Sequence, residues 1–524
     1  MRLQITRFAI RFFSLLLPLL AASSLTWAER CEKQTIDGEV LAGCWGLGLS
    51  NHRFQSNTVI SPSNVKALSL AWVFQIDKKE SPHTWPLVTE DAVIIGGRGG
   101  VISALNKNSG CILWQQKPGE DLRTAFIKGE EGLFYYGDMT GHIFARKLSN
   151  GELVWKQKVD DHRFALSTGT PVYHDGILYA PKSSIEMFVA VLPVYNCCTF
   201  RGGVRAMNAK TGEVIWDSFT IDEPAVKQKS RFLLLKDKGP SGAPVWSAPA
   251  LDPVNNRLYI GTGENYSEPG TKDSDAIIAL DMKTGERLWS NQFTESDVWN
   301  LACETLIKTN CPESNGPDFD FGAPPVVLNN IVVAGQKSGM VYGMRADNGE
   351  RLWEFRSGSG GKLGGIHWGL AAKPSENTVY VSVSDRDAEW PTNHSTVGEA
   401  MAGLVALDAR TGKQKWRVLH TDTCENKSKQ CYEGISAALL ASPGLVWAGG
   451  MDGVLRAYSE TDGAVLWQYD TWEKVNAVNG EAQGGTIDVH GPMVIGDMVF
   501  VTSGYAGFGQ KGGNAFYAFR LAAK

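Results

Sequence analysis

Short apolar runs of strand length, broken by polar turns, fill the chain from residue 57 to its end, and they recur in a fixed register. Val204-Arg205-Ala206-Met207-Asn208 reads as a strand and Ala209-Lys210-Thr211-Gly212 as a tight turn whose glycine supplies positive φ. Glu213-Val214-Ile215-Trp216 reads as the returning strand. The frame occurs seven times. Gly110, Gly151, Gly212, Gly285, Gly349, Gly412 and Gly463 are each followed four residues later by Trp114, Trp155, Trp216, Trp289, Trp353, Trp416 and Trp467. Six residues before each glycine stands Ala104, Ala145, Ala206, Ala279, Gly343, Ala406 or Ala457. Such hairpins cannot bury themselves alone. Set radially as four-stranded blades, they pack the small residue and the tryptophan between neighbours and leave few free edges. An eighth copy is split: Phe516-Tyr517-Ala518-Phe519-Arg520-Leu521 ends the chain without its turn glycine, and an orphan return strand, Leu68-Ser69-Leu70-Ala71-Trp72-Val73-Phe74, lies near the start. The predicted fold is all-β, an eight-bladed β-propeller of four-stranded antiparallel blades closed by N- and C-terminal strands. The spacing between tryptophans varies from the 41 residues separating Trp114 and Trp155 to the 73 separating Trp216 and Trp289. A constant blade with inserted loops accounts for that spread, and chemistry is expected in the loops, since the repeat tryptophans read as core.

The rest of the composition locates the molecule. Arg2, Arg7 and Arg11, the apolar run Phe12 to Leu20, and the small residues up to Thr26-Trp27-Ala28 form the pattern of a secretory signal peptide cut after Ala28. The run is much shorter than the roughly 20 residues of a membrane span. The expected organisation is a signal peptide at 1–28, an N-terminal extension at 29–56 and a propeller at 57–524, soluble, without a membrane span, in the periplasm. Without the leader the formal charge of -5 becomes about -8, and no basic cluster is dense enough to follow a phosphate backbone, so nucleic acid is not an expected partner. Eight of the nine cysteines fall into close pairs, Cys31 with Cys44, Cys197 with Cys198, Cys303 with Cys311 and Cys424 with Cys431. In an oxidising compartment this favours local disulfides, with Cys111 single and buried. Cys-x-x-Cys-His, which attaches a c-type haem, is absent. Electrons leaving this protein would pass to a separate carrier.

The motif Ala-x-Asp-x-x-Thr-Gly-x-x-x-Trp around eight blades resembles the quinoprotein alcohol dehydrogenases, which bind pyrroloquinoline quinone (PQQ) and calcium on the propeller axis. Four stretches outside the repeat are similar to the polyvinyl-alcohol-oxidising branch: Cys197 to Gly202, Gly261 to Ser267, Asp318-Phe319-Asp320-Phe321-Gly322, and Gly364-Gly365-Ile366-His367-Trp368-Gly369. The resemblance implies roles for particular residues. Trp246 would form a floor beneath the flat quinone, with Trp368 also in the cofactor site. Glu186, after a Ser-Ser pair, and Glu264 with Asn265 would hold Ca2+ through hard oxygens. Arg123 would pair with a quinone carboxylate, Thr168 would donate a hydroxyl, and Lys337 would stand near the quinone carbonyls, stabilising charge as the quinol forms.

Three positions depart from the methanol-oxidising pattern. Where those enzymes carry Asp as general base, Ser296-Asp297-Val298-Trp299-Asn300 places Asn300, a neutral amide. Asp297 is the nearest carboxylate and the candidate base, and Asn300 is left to orient substrate or to bind calcium through its carbonyl oxygen. The vicinal pair Cys197-Cys198 lies two motifs later than the family's ring disulfide and would stiffen a loop over the cofactor. Ile435 matches an entrance tryptophan, so the mouth is expected to be more open. The resulting expectation is a PQQ- and Ca2+-dependent dehydrogenase of secondary or polymeric alcohols that hands electrons to a separate cytochrome c; residues Glu29 to Ser56 are too short for a haem domain. Two other readings share the blades: a binding or assembly scaffold with no cofactor, and a quinoprotein for sugars or aldehydes.

Overall fold

A computed structural model of the chain describes residues 30–76, 84–119, 121–230, 236–386 and 401–522. The signal-peptide pattern lies outside the described residues. Eight antiparallel sheets follow one another around a ring, each running outward from a short innermost strand. The first blade shows the plan, with Leu87–Thr89, Ala92–Gly96, Ile102–Asn106 and Ile112–Gln116 in that order from inside to outside. The last blade is built from both ends of the chain: Met493–Ile495, Met498–Ser503 and Ala515–Leu521 are completed by Leu68–Gln75. Leu68 pairs with Leu521, and Trp72 stands opposite Ala518, as the split eighth copy predicts.

The repeat residues do one job throughout. In every visible motif the small residue six before the glycine faces the tryptophan across the hairpin, for example Ala206 opposite Trp216 and Gly343 opposite Trp353. The indole then reaches the next blade and lies on the glycine of its turn. A Cβ on Gly412, at φ +69°, would sit 2.6 Å from the ring of Trp353. Only glycine accepts both that backbone conformation and that contact. In six of the seven the indole N–H is satisfied on the same neighbour, Trp114 being the exception: Trp353 donates to Ala409 O at 2.9 Å, Trp216 to Met282 O at 3.2 Å, and Trp467 crosses the seam to Leu68 O at 3.2 Å.

Residues 40–59 lie inside the ring rather than beside it. Val40–Ala42 pairs with the innermost strand of blade 1. The segment then accepts or donates backbone hydrogen bonds along the inner edges of later blades: Lys128 N to Gly43 O, Leu251 N to Leu49 O, Val327 N to Ser50 O, Ala372 N to His52 O, Ala441 N to Arg53 O and Val59 N to Gly496 O. Innermost strands expose an unpaired edge toward the axis, and this inner belt satisfies it in every blade but the third. Asn51 ties two blades together, its amide donating to Ala248 O, Pro249 O and Pro325 O.

The disulfides correct one expectation. Cys197–Cys198, Cys303–Cys311 and Cys424–Cys431 form as the spacing suggests, but Cys31 bonds Cys111 and Cys44 is free. The cause is the sheet: Arg30 bridges Ile112 in parallel, which sets Cys31 beside Cys111 across 80 residues of sequence. Ile435 is also corrected. It is fully buried between blades among Ala371, Tyr380 and Leu404, so it does not shape a mouth. No helix among the described residues is long and apolar enough to cross a membrane.

Candidate active site

Three loop segments, following the second strand of blade 4 (Arg257–Gly261), its outermost strand (Arg287–Gln292) and the second strand of blade 5 (Ile331–Gly335), are laced together by backbone bonds. Asn265 N donates to Asp297 O, Phe321 N to Thr262 O, and Lys337 N to Asp320 O. The lacing converges Glu264, Asp318 and Asp320, all buried, with ligand oxygens within 4.8 Å of one another. Lys337 closes the group, its Nζ donating to Asp318 Oδ1 at 3.1 Å and Asp320 Oδ2 at 2.5 Å. Glu264 N donates to Asp320 Oδ1 at 3.1 Å, yet neither Glu264 side-chain oxygen receives a donor. Asp275 is likewise fully buried with both oxygens lacking a partner.

So much buried carboxylate in one place sets the electrostatics. Burial, then repulsion from Asp320 and Asp318, pushes Glu264 well above the usual range. Asp318 is pushed up as well by burial, although Lys337 opposes the shift. Burial opposes ionisation of Asp320 most strongly too, but the charge of Lys337 and the hydrogen bonds from Lys337 and Glu264 together hold that carboxyl low. Lys337 stays protonated because Asp318, Asp320 and Glu264 outweigh its own burial. Unpaired buried carboxylates are costly, and a cation seated among them removes the cost. The donor set, three carboxylates and no sulfur or nitrogen, suits a hard cation such as Ca2+.

Other expected residues are occupied differently. Asp297 is fully buried; its two oxygens accept the amides of Asp318 at 3.1 Å and Phe319 at 2.8 Å, and burial pushes it up to about 6 against those bonds. Asn300 caps the turn Leu301–Glu304, accepting from Ala302 N and donating to Tyr266 O and Asn310 O. The Asn265 side chain donates to Ser241 O and accepts from Thr271. Glu186 opens the short helix Glu186–Val189 and clasps the chain after the vicinal disulfide, accepting from Thr199 N, Phe200 N and Tyr195 Oη. The structure thus brings Glu264 and Lys337 together with Asp318 and Asp320. It gives Glu186, Asn265 and Asn300 full sets of partners in the surrounding loops.

Beside the acids lies an aromatic cleft lined by Trp45, Thr168, Gly169, Trp246, Ser247, Gly322, Trp368 and His490 among others. Gly263 joins the two regions, since a Cβ there would fall 2.3 Å from Asp320 Oδ1 and 2.7 Å from Trp246 Nε1. Trp246 also lies against the cluster of Cys197, Cys198, Phe200 and Tyr266. Arg123 stacks over Trp368 at 5.0 Å. Thr168 Oγ1 is 2.7 Å from Ser183 Oγ. Buried donors without partners concentrate here: Trp246 Nε1, Trp368 Nε1 and Arg123 Nη1. A flat ligand bearing carboxylates and carbonyls complements aromatic faces, glycine backbone and free donors.

Asp488, two residues before the cleft residue His490, is buried and pushed up to about 6 by its burial, against hydrogen bonds from Ser436 and Val489 N and the charges of Arg386 and Arg123. A carboxyl whose folded pKa exceeds its unfolded value of 3.8 adds stability only while protonated; that stability is lost as pH rises from 3.8 through about 6. Asp488→Asn is therefore expected to stabilise the ligand-free protein by about 1–3 kcal/mol at pH 7.5, with the gain vanishing near pH 4. Thermal denaturation at the two pH values checks this.

Asp318 and Asp320 are the residues that sequence reasoning left without a role. Their Asp-x-Asp spacing within a quoted stretch was the available signal. The profile of the family "Glucose/ethanol/alcohol dehydrogenase, beta-propeller domain" matches residues 183–306, the stretch holding Glu186, Trp246, Glu264 and Asp297. That of "Outer membrane protein assembly factor BamB" matches 63–237 and 314–515, where the blades repeat. The chain is 34% identical over 479 residues to a polyvinylalcohol dehydrogenase of Pseudomonas sp., covering 88% of this chain and 73% of that one. It is 32% identical to the polyvinylalcohol dehydrogenase of Sphingopyxis sp. strain 113P3, covering 90% and 73%. Among solved structures, quinohemoprotein alcohol dehydrogenase from Comamonas testosteroni superposes with a TM-score of 0.64 at 17% identity, over 92% of this chain and 80% of that one, a likeness of fold.

Proposed function

Because the chain belongs to the PQQ-dependent quinoprotein alcohol dehydrogenases, close to the polyvinylalcohol dehydrogenases, we propose that it oxidises secondary or polymeric alcohols with PQQ and Ca2+ bound on the propeller axis. The observation that carries this reading is the juxtaposition of two complementary halves. Glu264, Asp318 and Asp320 offer carboxylates to a cation, and Trp246, Trp368 and Arg123 offer aromatic faces and free donors to an anionic, flat cofactor. With a cation seated among them the three carboxylates would ionise and, counted with Lys337, would leave two negative charges, a match for a divalent ion.

The chemistry PQQ supplies when bound is acceptance of the two electrons of the alcohol. The protein's own part is proton handling and placement. Asp318 would take the hydroxyl proton, its raised pKa making it a stronger base than an exposed carboxylate. Asp297, expected as the base, would serve instead by fixing the Asp318 and Phe319 amides and so the position of the Asp318 carboxyl. Lys337 would hold Asp318 and Asp320 and lend positive charge to the quinone side of the cluster. Glu186 would brace the Cys197–Cys198 loop against Trp246. Export to the periplasm is supported by four disulfides among the described residues, and a cytochrome c would be the electron acceptor.

Purified protein mixed with PQQ and Ca2+, then gel-filtered, is expected to retain quinone absorbance and to drive dye-linked oxidation of polyvinyl alcohol and secondary alcohols. Loss of both through the column would favour the scaffold reading. Retention of the quinone with turnover of sugars or aldehydes alone would replace the substrate class.

A further inference from the structure

We propose that Arg53, on the inner belt, is a positioning residue whose charge draws an anionic ligand into the axial cleft; the proposal rests on the PQQ reading above. Arg53 is 1% exposed, with its guanidinium held between the rings of Trp45 at 4.6 Å and Trp85 at 4.2 Å. Its donors go to three backbone carbonyls: Leu439 O, Trp45 O at 2.9 Å and His490 O at 2.7 Å. No carboxylate among the described residues forms an ion pair with it. Burial lowers its pKa to about 9, which leaves it cationic at neutral pH.

A whole positive charge in a dry interior, eased by carbonyl dipoles and two indole faces but matched by no opposite charge, is still costly unless a counter-charge arrives from elsewhere. The neighbours of Arg53 point to where that charge would sit. Trp45 and His490 both line the aromatic cleft. Trp45 is the ring against which Arg53 lies, so the charge stands directly behind the cleft wall. Arg123, with its free Nη1, stacks on another wall residue, Trp368. Two arginines thus flank an aromatic slot, and the carboxylates balancing the opposite end belong to the Glu264 cluster. Fastening the belt needs hydrogen bonds but no net charge, whereas drawing in a polycarboxylate needs the charge.

Charge and fastening separate in a titration of full-length, ligand-free protein with two quinones in the presence of Ca2+, read by tryptophan fluorescence. PQQ carries three carboxylates; 9,10-phenanthrenequinone is flat, has the same ortho-quinone and is neutral. Arg53→Met is expected to weaken PQQ about tenfold or more and to leave phenanthrenequinone within about twofold, while Arg53→Lys keeps PQQ within about threefold. Equal weakening of both quinones by Arg53→Met, or no change for PQQ, overturns the proposal. If Arg53→Met does not fold, Arg53→Lys decides it: a preserved ratio of PQQ to phenanthrenequinone affinity supports the charge, and a ratio that collapses overturns it. Wild-type protein that binds neither quinone overturns the underlying reading and this one with it.

Discussion

Asp318→Asn is expected to lower kcat for alcohol oxidation by roughly a thousandfold at saturating Ca2+ with PQQ still retained. Asparagine keeps the size and one carbonyl oxygen of the side chain, so the hydrogen bond from Lys337 and a place in the cation's shell survive. What disappears is a group able to accept a proton. Asp297→Asn tests the competing assignment. Its carboxylate accepts two backbone amides 2.8 and 3.1 Å away, and an asparagine there loses one of them. A positioning role predicts a drop of about ten- to a hundredfold that leaves the acid limb of the pH–rate profile, where the base is protonated, in place. Steady-state kinetics of both variants decide the matter. A thousandfold loss for Asp297→Asn beside near-normal Asp318→Asn would return the base to Asp297.

The second large effect concerns the metal. Glu264→Gln is expected to weaken Ca2+ on the order of a hundredfold while making the metal-free protein more stable at neutral pH. The two changes share one cause. Glu264 is 1% exposed, neither side-chain oxygen has a donor, and Asp318 and Asp320 crowd it. Ionised without a cation it strains the fold, and its pKa is pushed far up by burial first and by those neighbours second. Glutamine keeps the shape and removes the charge. Calcium titration by calorimetry and denaturation of the metal-free variant form the paired test. A variant that lost stability and kept its calcium affinity would remove Glu264 from the metal site.

Sequence and structure agree where the chemistry is local and repeated. Seven glycine–tryptophan frames count blades because each hairpin solves the same packing problem, and Phe516 to Leu521 with Leu68 to Phe74 could be paired from the one frame left incomplete. The Cys31–Cys111 bond was hidden because proximity along the chain is a poor guide once a sheet brings residue 30 beside residue 112. In the site, the loops were legible and the side chains within them were not. Asn265, Asn300 and Glu186 sit in the right insertions, but each is surrounded by backbone donors and acceptors that counting along a sequence cannot reveal. Asp318 and Asp320 escaped assignment for the converse reason. Their stretch was recognised, but it is an irregular loop, with Asn315 and Asp318 at positive φ, and its folding back onto Glu264 is invisible to spacing along the chain. Arg53 and Trp45 lie in residues that carry no repeat at all, so nothing in the periodicity marked them as lining the axis.

The inner belt also constrains the order in which the molecule can be assembled. Residues 43–59 hydrogen-bond to inner strands of blades as far apart as Lys128 and Gly496, and those edges face a common axis only once the blades stand in a ring. The ring in turn needs Ala515–Leu521 to receive Leu68–Gln75. Residues 49–59 therefore reach their final places only after the last strand has been made, although residues 30–42 need only the first two blades. A nascent or translocating chain must keep that segment waiting through the synthesis of all eight blades.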